Sequence, residues 1–184
     1  MPSKVASTQV PPARSLAGRL ARLRVPLGFA FGAAVFLLAR PTWWTLASGW
    51  LVALPGEGLR IWAAGHVQKG REVTGSGPYR WSGHPLYLGS TVIGIGVAVA
   101  SASLIVAVLV AAYLSITMTA TIRHEEAELR ARFGEEYAAY REGRAAPVAR
   151  AFSAKCAWQN REQRTVAGLL AGWGLLALKV ALGL

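Results

Sequence analysis

The 184-residue sequence contains no aspartate, a single cysteine, and no charged side chain anywhere between Pro85 and Ile122. One cysteine, Cys156, excludes an internal disulfide and any cysteine-based metal cluster, and no clustered histidines offer a metal site in its place. Charged residues make up only 16% of the chain against 53% hydrophobic, with a mean hydropathy of +0.35. An average globular protein carries ~25% charged residues. The deficit excludes a soluble enzyme, a disordered chain and a secreted disulfide scaffold. At ~1.5 Å per helical residue and a ~30 Å hydrocarbon core, the uncharged run is too long for one helical crossing and about right for two short ones. The expected fold is all-α, a polytopic membrane helical bundle.

The charge that is present is one-sided. The chain carries 20 Lys and Arg against 9 acidic residues, a net charge of +11. Basic residues outside membrane spans mark cytoplasmic segments and affinity for anionic headgroups. No Lys/Arg tract is interleaved with aromatics as a single-strand binder would require, so no nucleic-acid partner is expected.

Five spans are expected, at about 25–39, 42–64, 85–100, 103–122 and 165–184, in one membrane domain over residues 25–184. A basic segment, 1–24, precedes them, with Leu16, Leu20 and Leu23 spaced for a short surface helix. Trp43 and Trp44 suit an interfacial belt at the start of the second span, and Pro55-Gly56-Glu57-Gly58 should kink it. Glu57 and Arg60, three residues apart on one face, are expected either to pair or to line a cleft. Pro85–Ile122 is expected to turn back at Ser101-Ala102-Ser103. In the last span Gly168 and Gly172 form a small-xxx-small face suited to close helix packing. Placing segments 1–24, 66–83 and 123–164 in the cytoplasm satisfies the positive-inside rule and leaves the N-terminus there. The Ala/Arg-rich composition points to a bacterial inner membrane.

Two polar clusters stand where spans meet the cytoplasm. The first, Gly75-Ser76-Gly77-Pro78-Tyr79-Arg80-Trp81-Ser82-Gly83-His84-Pro85-Leu86-Tyr87-Leu88-Gly89, is a glycine-bearing loop entering a helix. Pro85 suits the first turn, where its missing N–H is no loss, and places His84 and Tyr87 on one side. The second runs Arg123-His124-Glu125-Glu126-Ala127-Glu128-Leu129 and on through Phe133-Gly134-Glu135-Glu136-Tyr137-Ala138-Ala139-Tyr140. Adjacent carboxylates at a membrane exit are costly unless paired. The plain alternative is a solvated helix laced by Glu126–Arg130 and Glu128–Arg132 pairs.

Taken together, G-P-Y-R-x-x-x-H-P-x-Y-x-G, an apolar stretch, and E-E-x-x-L-x-x-x-F-G-x-x-Y-x-x-Y resemble the isoprenylcysteine carboxyl methyltransferase family, which belongs with the membrane phospholipid methyltransferases. The resemblance covers roughly Gly58 to Arg150. It implies a cytoplasm-facing pocket for S-adenosylmethionine, the methyl donor, and a lipid-side route for an apolar acceptor. The cofactor positions it implies are Gln68, the loop from Val73 through Thr74 and Gly77 to Tyr79, then His84, Pro85, Leu86, Tyr87 and Glu125. Glu126 and Arg123, at the same membrane exit, are the catalytic candidates. Tyr79 and Tyr87 would offer ring faces to the donor's sulfonium, Glu125 would take its ammonium or ribose hydroxyls, and His84 its carboxylate or adenine edge.

The chain departs from the family pattern at two positions. Gly83 stands where an arginine usually precedes the His-Pro, and Thr121 where an arginine usually precedes the glutamate pair by four residues. Both departures argue against a prenylcysteine carboxylate acceptor and leave a phospholipid headgroup, an isoprenoid alcohol, a phenol or a thiol. The expected function is therefore an integral membrane methyltransferase acting on a lipophilic acceptor drawn from the bilayer. Two alternatives are a non-catalytic membrane scaffold of the same fold and an NADPH-dependent membrane reductase, since sterol reductases share a related helical core.

Overall fold

The computed structural model describes residues 28–68, 70–146 and 148–184. The basic segment 1–24, with its expected surface helix, and the first residues of the 25–39 span lie outside the described residues. All regular structure among the described residues is helical. The chain divides into two units, Met1–Leu37 and Leu38–Leu184. Helix α1, Gly28–Leu38, occupies the end of the first. The second holds α2 (Trp43–Ala64), a 3-10 turn (Gly77–Arg80), α3 (Pro85–Ser101), α4 (Leu104–Arg141), α5 (Ala154–Gln159) and α6 (Glu162–Ala181). Two of these, α4 and α6, are long and apolar enough to cross a membrane, while α1 and α3 are apolar but shorter.

Helix α2 starts at a reciprocal cap. Thr42 Oγ1 accepts from the Thr45 amide at 3.1 Å, and Thr45 Oγ1 accepts from the Thr42 amide at 2.9 Å. The helix then runs to Ala64 with Pro55 inside it. Pro55 removes one backbone hydrogen bond, and the helix continues through it to Ala64, with the next turn packed tightly against α3.

That packing is set by four glycines. Helices α2 and α3 lie antiparallel with Gly49 opposite Gly96 and Gly56 opposite Gly89. A methyl group at Gly49 would lie 2.5 Å from the Gly96 carbonyl oxygen, and one at Gly96 2.6 Å from that of Gly49. At the second crossing the corresponding distances are 2.7 and 2.6 Å. Only hydrogen fits at these positions, and backbone meets backbone. Gly168 and Gly172, expected to make such a contact, do not: nothing lies within 4 Å of a methyl group added at either. Helix α6 instead meets α2 through Trp173, whose ring sits 5.1 Å from that of Trp50 and whose Nε1 donates to the Leu46 carbonyl at 3.3 Å.

Helix α3 ends at Ser101, and the chain reverses through Ala102 in the left-handed region (φ 47°) before Ser103 caps α4. Helix α4 continues past Ile122 to Arg141, 38 residues in all, with one break at Gly134. The stretch before Gly134 alone is ~45 Å long, more than a hydrocarbon core, so the charged second half projects beyond the apolar half.

A polar network joins α2, α3 and α6. Arg60 Nε donates to Glu162 Oε1 at 2.7 Å, its Nη1 to the Leu86 carbonyl at 3.3 Å and to Ser90 Oγ, and its Nη2 to Thr165 Oγ1 at 3.2 Å. Glu57 lies farther off, 4.0 Å from Arg60 Nε. The expected Glu57–Arg60 pair is thus secondary to Arg60–Glu162, because the guanidinium aims its donors at α6 and α3. Helix α5 caps the end of α2: Asn160 Nδ2 donates to the carbonyls of Ala64 (2.9 Å) and Val67 (3.0 Å), and Cys156 Sγ donates to Val67 at 3.2 Å. These donors satisfy carbonyls that a helix end leaves without partners.

Candidate functional site

The loop between α2 and α3 is folded onto the end of α2. Pro78 lies in the first turn of the 3-10 segment; Ser76, Pro78 and Tyr79 are buried. Tyr79 packs with Ala63 and Val67, and Leu86 closes over them. Thr74 Oγ1 accepts from the Gln68 amide at 3.4 Å, which ties the two ends of the loop together, and Val73 beside it is half-buried. Gly77 crosses directly over the buried His66 ring, where a methyl group would lie 2.7 Å from it. Arg150 clasps the loop from outside with a two-pronged ion pair to Glu72, at 2.5 and 2.7 Å, and a hydrogen bond to the His66 carbonyl at 3.2 Å.

At the start of α3, His84 is the N-cap and Pro85 the first helical residue. There the side chains of His84 and Tyr87 meet the two glutamates of α4. Tyr87 donates its hydroxyl to Glu125 Oε2 at 2.7 Å, and His84 Nε2 lies 3.2 Å from Glu126 Oε1. The two rings, 5.7 Å apart, stand side by side as their three-residue spacing requires. Adjacent residues of a helix diverge by ~100°, which is why one glutamate serves the tyrosine and the other the histidine.

The two glutamates differ in electrostatics. Glu126 sits among three basic side chains: Arg141 Nη1 at 3.0 Å and Arg130 Nη2 at 3.7 Å join the His84 ring. The hydrogen bond from His84 is the largest effect on its carboxyl and, together with the charges of Arg141 and Arg130, outweighs burial and holds it below the ordinary range. Glu125 has no ion pair among the described residues. Its charge acts instead on Tyr79, whose phenol is pushed well above its ordinary value first by burial and then by Glu125, so it stays protonated. The Tyr79 carbonyl accepts from the Tyr140 hydroxyl at 2.7 Å.

The structure therefore brings His84, Pro85, Leu86, Tyr87, Tyr79, Glu125 and Glu126 together, with Gln68, Val73, Thr74 and Gly77 in the loop that backs them. Arg123 is exposed and forms no ion pair among the described residues. Of the two expected i,i+4 pairs, Glu126–Arg130 is present as the longest contact to Glu126. Glu128–Arg132 does not form among the described residues, because the Arg132 guanidinium turns back over the Phe133 ring at 5.8 Å. The sequence gives no sign of His66, Arg141 or Arg150. Tyr140, by contrast, closes the quoted F-G-x-x-Y-x-x-Y motif and could have been read from it.

One helical turn beyond Tyr87, an apolar groove of about 590 Å³ opens between α3 and α4, lined by Thr91, Ile95, Ala107, Leu114, Ser115 and Met118. Thr91 spends its hydroxyl on the Tyr87 carbonyl at 3.0 Å.

No curated protein and no solved structure gives a significant match to the chain. The profile of the phospholipid methyltransferase family matches residues 33–136, more than half of the sequence. The stretch takes in the loop, the His84–Tyr87 turn and both glutamates. This chain belongs to the phospholipid methyltransferase family.

Proposed function

We propose that this protein is an integral membrane methyltransferase that takes S-adenosylmethionine from the cytoplasm and a lipophilic acceptor from the bilayer. The observation that carries the reading is the carboxylate of Glu125, without a cation among the described residues yet set against the Tyr87 hydroxyl and close to Tyr79. A negative charge beside aromatic rings at the mouth of an apolar groove is a place for a cation. The donor supplies a methyl group bound to a sulfonium, and its amino-acid head adds an ammonium.

The residues present fit that group. Glu125 supplies the opposing charge. The rings of Tyr79 and Tyr87 add cation–π attraction worth ~0.5–2 kcal/mol each where water is excluded. The Ser76 hydroxyl is fully buried and has no partner among the described residues, as a hydroxyl reserved for a ligand would be. His84 is held by Glu126 with its ring beside Tyr87. None of these groups needs to move a proton if the acceptor is already nucleophilic. Alignment alone can supply ~7–11 kcal/mol of barrier lowering.

The groove between α3 and α4 suits an acceptor's hydrocarbon, because it opens toward lipid and ends one turn from Tyr87. Gly83 and Thr121 supply no cation for an acceptor carboxylate, and the Thr121 hydroxyl is spent on its own helix at Thr117, 2.7 Å away. A headgroup amine or hydroxyl fits better than an acid. A five-crossing arrangement with segments 66–83 and 123–164 in the cytoplasm goes with this reading.

The same Thr121 geometry favours one other reading, a family member that binds the donor without turning over. Calorimetric titration of the detergent-purified protein with S-adenosylhomocysteine, with NADPH in parallel, tests the donor. Micromolar binding of the first alone is expected; binding of NADPH alone would overturn the proposal. Transfer of labelled methyl from the donor to a lipid extract then separates the enzyme from its inactive relative.

A further inference from the structure

Tyr140 and Arg141 lie beyond the stretch that matches the family, yet both reach into the site. A straight α4 would not bring them there. Arg141 follows Glu126 by fifteen residues, about 22 Å along a helix axis, well beyond the reach of an arginine side chain. The break is at Gly134, whose φ of 48° and ψ of −115° lie outside the helical region and outside what a residue with a Cβ readily adopts. Past it the last turns of α4 fold back. Tyr137 becomes buried, Tyr140 bonds the Tyr79 carbonyl, and Arg141 reaches Glu126.

We infer that Arg141 is a positioning residue for the donor site: it anchors Glu126, and Glu126 in turn fixes the His84 ring beside Tyr87. Three observations carry this beyond a surface ion pair. Arg141 is the closest charged group to Glu126, at 3.0 Å against 3.2 Å for His84 and 3.7 Å for Arg130. Its side chain is 46% exposed where that of Arg130 is 66% exposed, so less of the attraction is lost to water. Its guanidinium also fills the space beside the histidine turn, since a methyl group at Gly83 would lie 3.8 Å from Nη1. Arg141 Nη1 and His84 Nε2 approach the same oxygen, Glu126 Oε1, so the ion pair that holds this oxygen also sets where the histidine finds it. The inference rests on the reading of this site as the donor pocket, and its test separates the two.

The experiment uses the full chain in detergent and two readouts. The first is S-adenosylhomocysteine affinity by calorimetry. Arg141→Ala is expected to weaken it about tenfold and Arg141→Lys to stay within about threefold of the parent. Arg144→Ala, which removes an exposed guanidinium paired only with Glu142 and Glu135, is expected to change nothing. The second readout needs no ligand: the ring nitrogen resonances of His84, identified with His84→Gln, should move in Arg141→Ala and stay in Arg144→Ala. If Arg141→Ala does not fold, Arg141→Gln takes its place. Unmoved His84 resonances, or an Arg141→Lys variant no better than Arg141→Ala, would overturn the inference. A parent protein that binds no donor analogue overturns the donor reading instead, while the resonances still decide the role of Arg141.

Discussion

Tyr87 gives its phenolic hydrogen to Glu125 across the α3–α4 junction, a 2.7 Å bond between residues 38 positions apart. The bond orients the carboxylate without neutralising it. An arginine there would have cancelled the charge; a tyrosine leaves it available to a cationic ligand while presenting a ring face beside it.

The consequence for binding is direct. His84→Ala and Glu125→Ala should each weaken S-adenosylhomocysteine affinity at least tenfold in a protein that still folds, and Tyr87→Phe, which keeps the ring, should cost less, about threefold. Calorimetry on the three variants measures this. Full affinity in both alanine variants would remove the site from this part of the molecule.

Stability should depend on acid through Glu126. Its carboxyl titrates lower in the folded protein than in the unfolded chain. The stabilisation is therefore complete above the unfolded value of about 4.3 and lost as pH falls through the lower native value. Melting temperatures across pH 6 to about pH 3 should fall less steeply in Glu126→Gln than in the parent. Parallel curves would show that the contacts of His84, Arg141 and Arg130 to Glu126 contribute nothing to the fold.

The glycine crossings separate two classes of substitution. Gly49→Val and Gly96→Val push a side chain against a carbonyl oxygen 2.5–2.6 Å away, on a neighbouring backbone that cannot rotate aside. Overpacking of this kind costs about 1–3 kcal/mol or more, so both variants should melt lower by several degrees. Gly168→Val and Gly172→Val face open space and should melt like the parent. Equal effects at all four would contradict the packing described.

Restoring a single arginine should not restore acid specificity. A side chain at position 83 enters the space beside the Arg141 guanidinium, 3.8 Å away, and Thr121 still offers no second cation. Gly83→Arg is expected to show no gain of methyl transfer to a prenylated cysteine, and a large gain in that assay would show that one missing cation had set the acceptor.

These contrasts also mark what the amino-acid sequence discloses. The uncharged run, Pro85 and the Ser101-Ala102-Ser103 step delimit α3 and the start of α4 because each acts within a turn or two of itself. The pairing of His84 with Tyr87 on one side follows from a spacing of three. Gly49 and Gly56, like Gly89 and Gly96, are seven residues apart and so share a face two turns long, but that spacing by itself does not announce a crossing. The small-xxx-small spacing of Gly168 and Gly172 looks equally promising in one dimension, yet spacing says nothing about whether a partner arrives. The contacts that no local pattern announces are the distant ones: Arg150 to Glu72 across 78 positions, and Arg141 to Glu126 around a broken helix.

Arg60 and Glu162 are 102 positions apart and share the network between α2, α3 and α6. Synthesis runs in one direction, so the guanidinium is made long before its carboxylate. Until Glu162 emerges, α2 has only Ser90, the Leu86 carbonyl and the more distant Glu57 to offset a half-buried charge. A buried ion without its partner is strongly destabilising. Helix α6 therefore does more than add hydrophobic area: its arrival gives Arg60 its shortest ion pair, 2.7 Å to Glu162, and a chain halted short of it leaves that guanidinium to Glu57 at 4.0 Å.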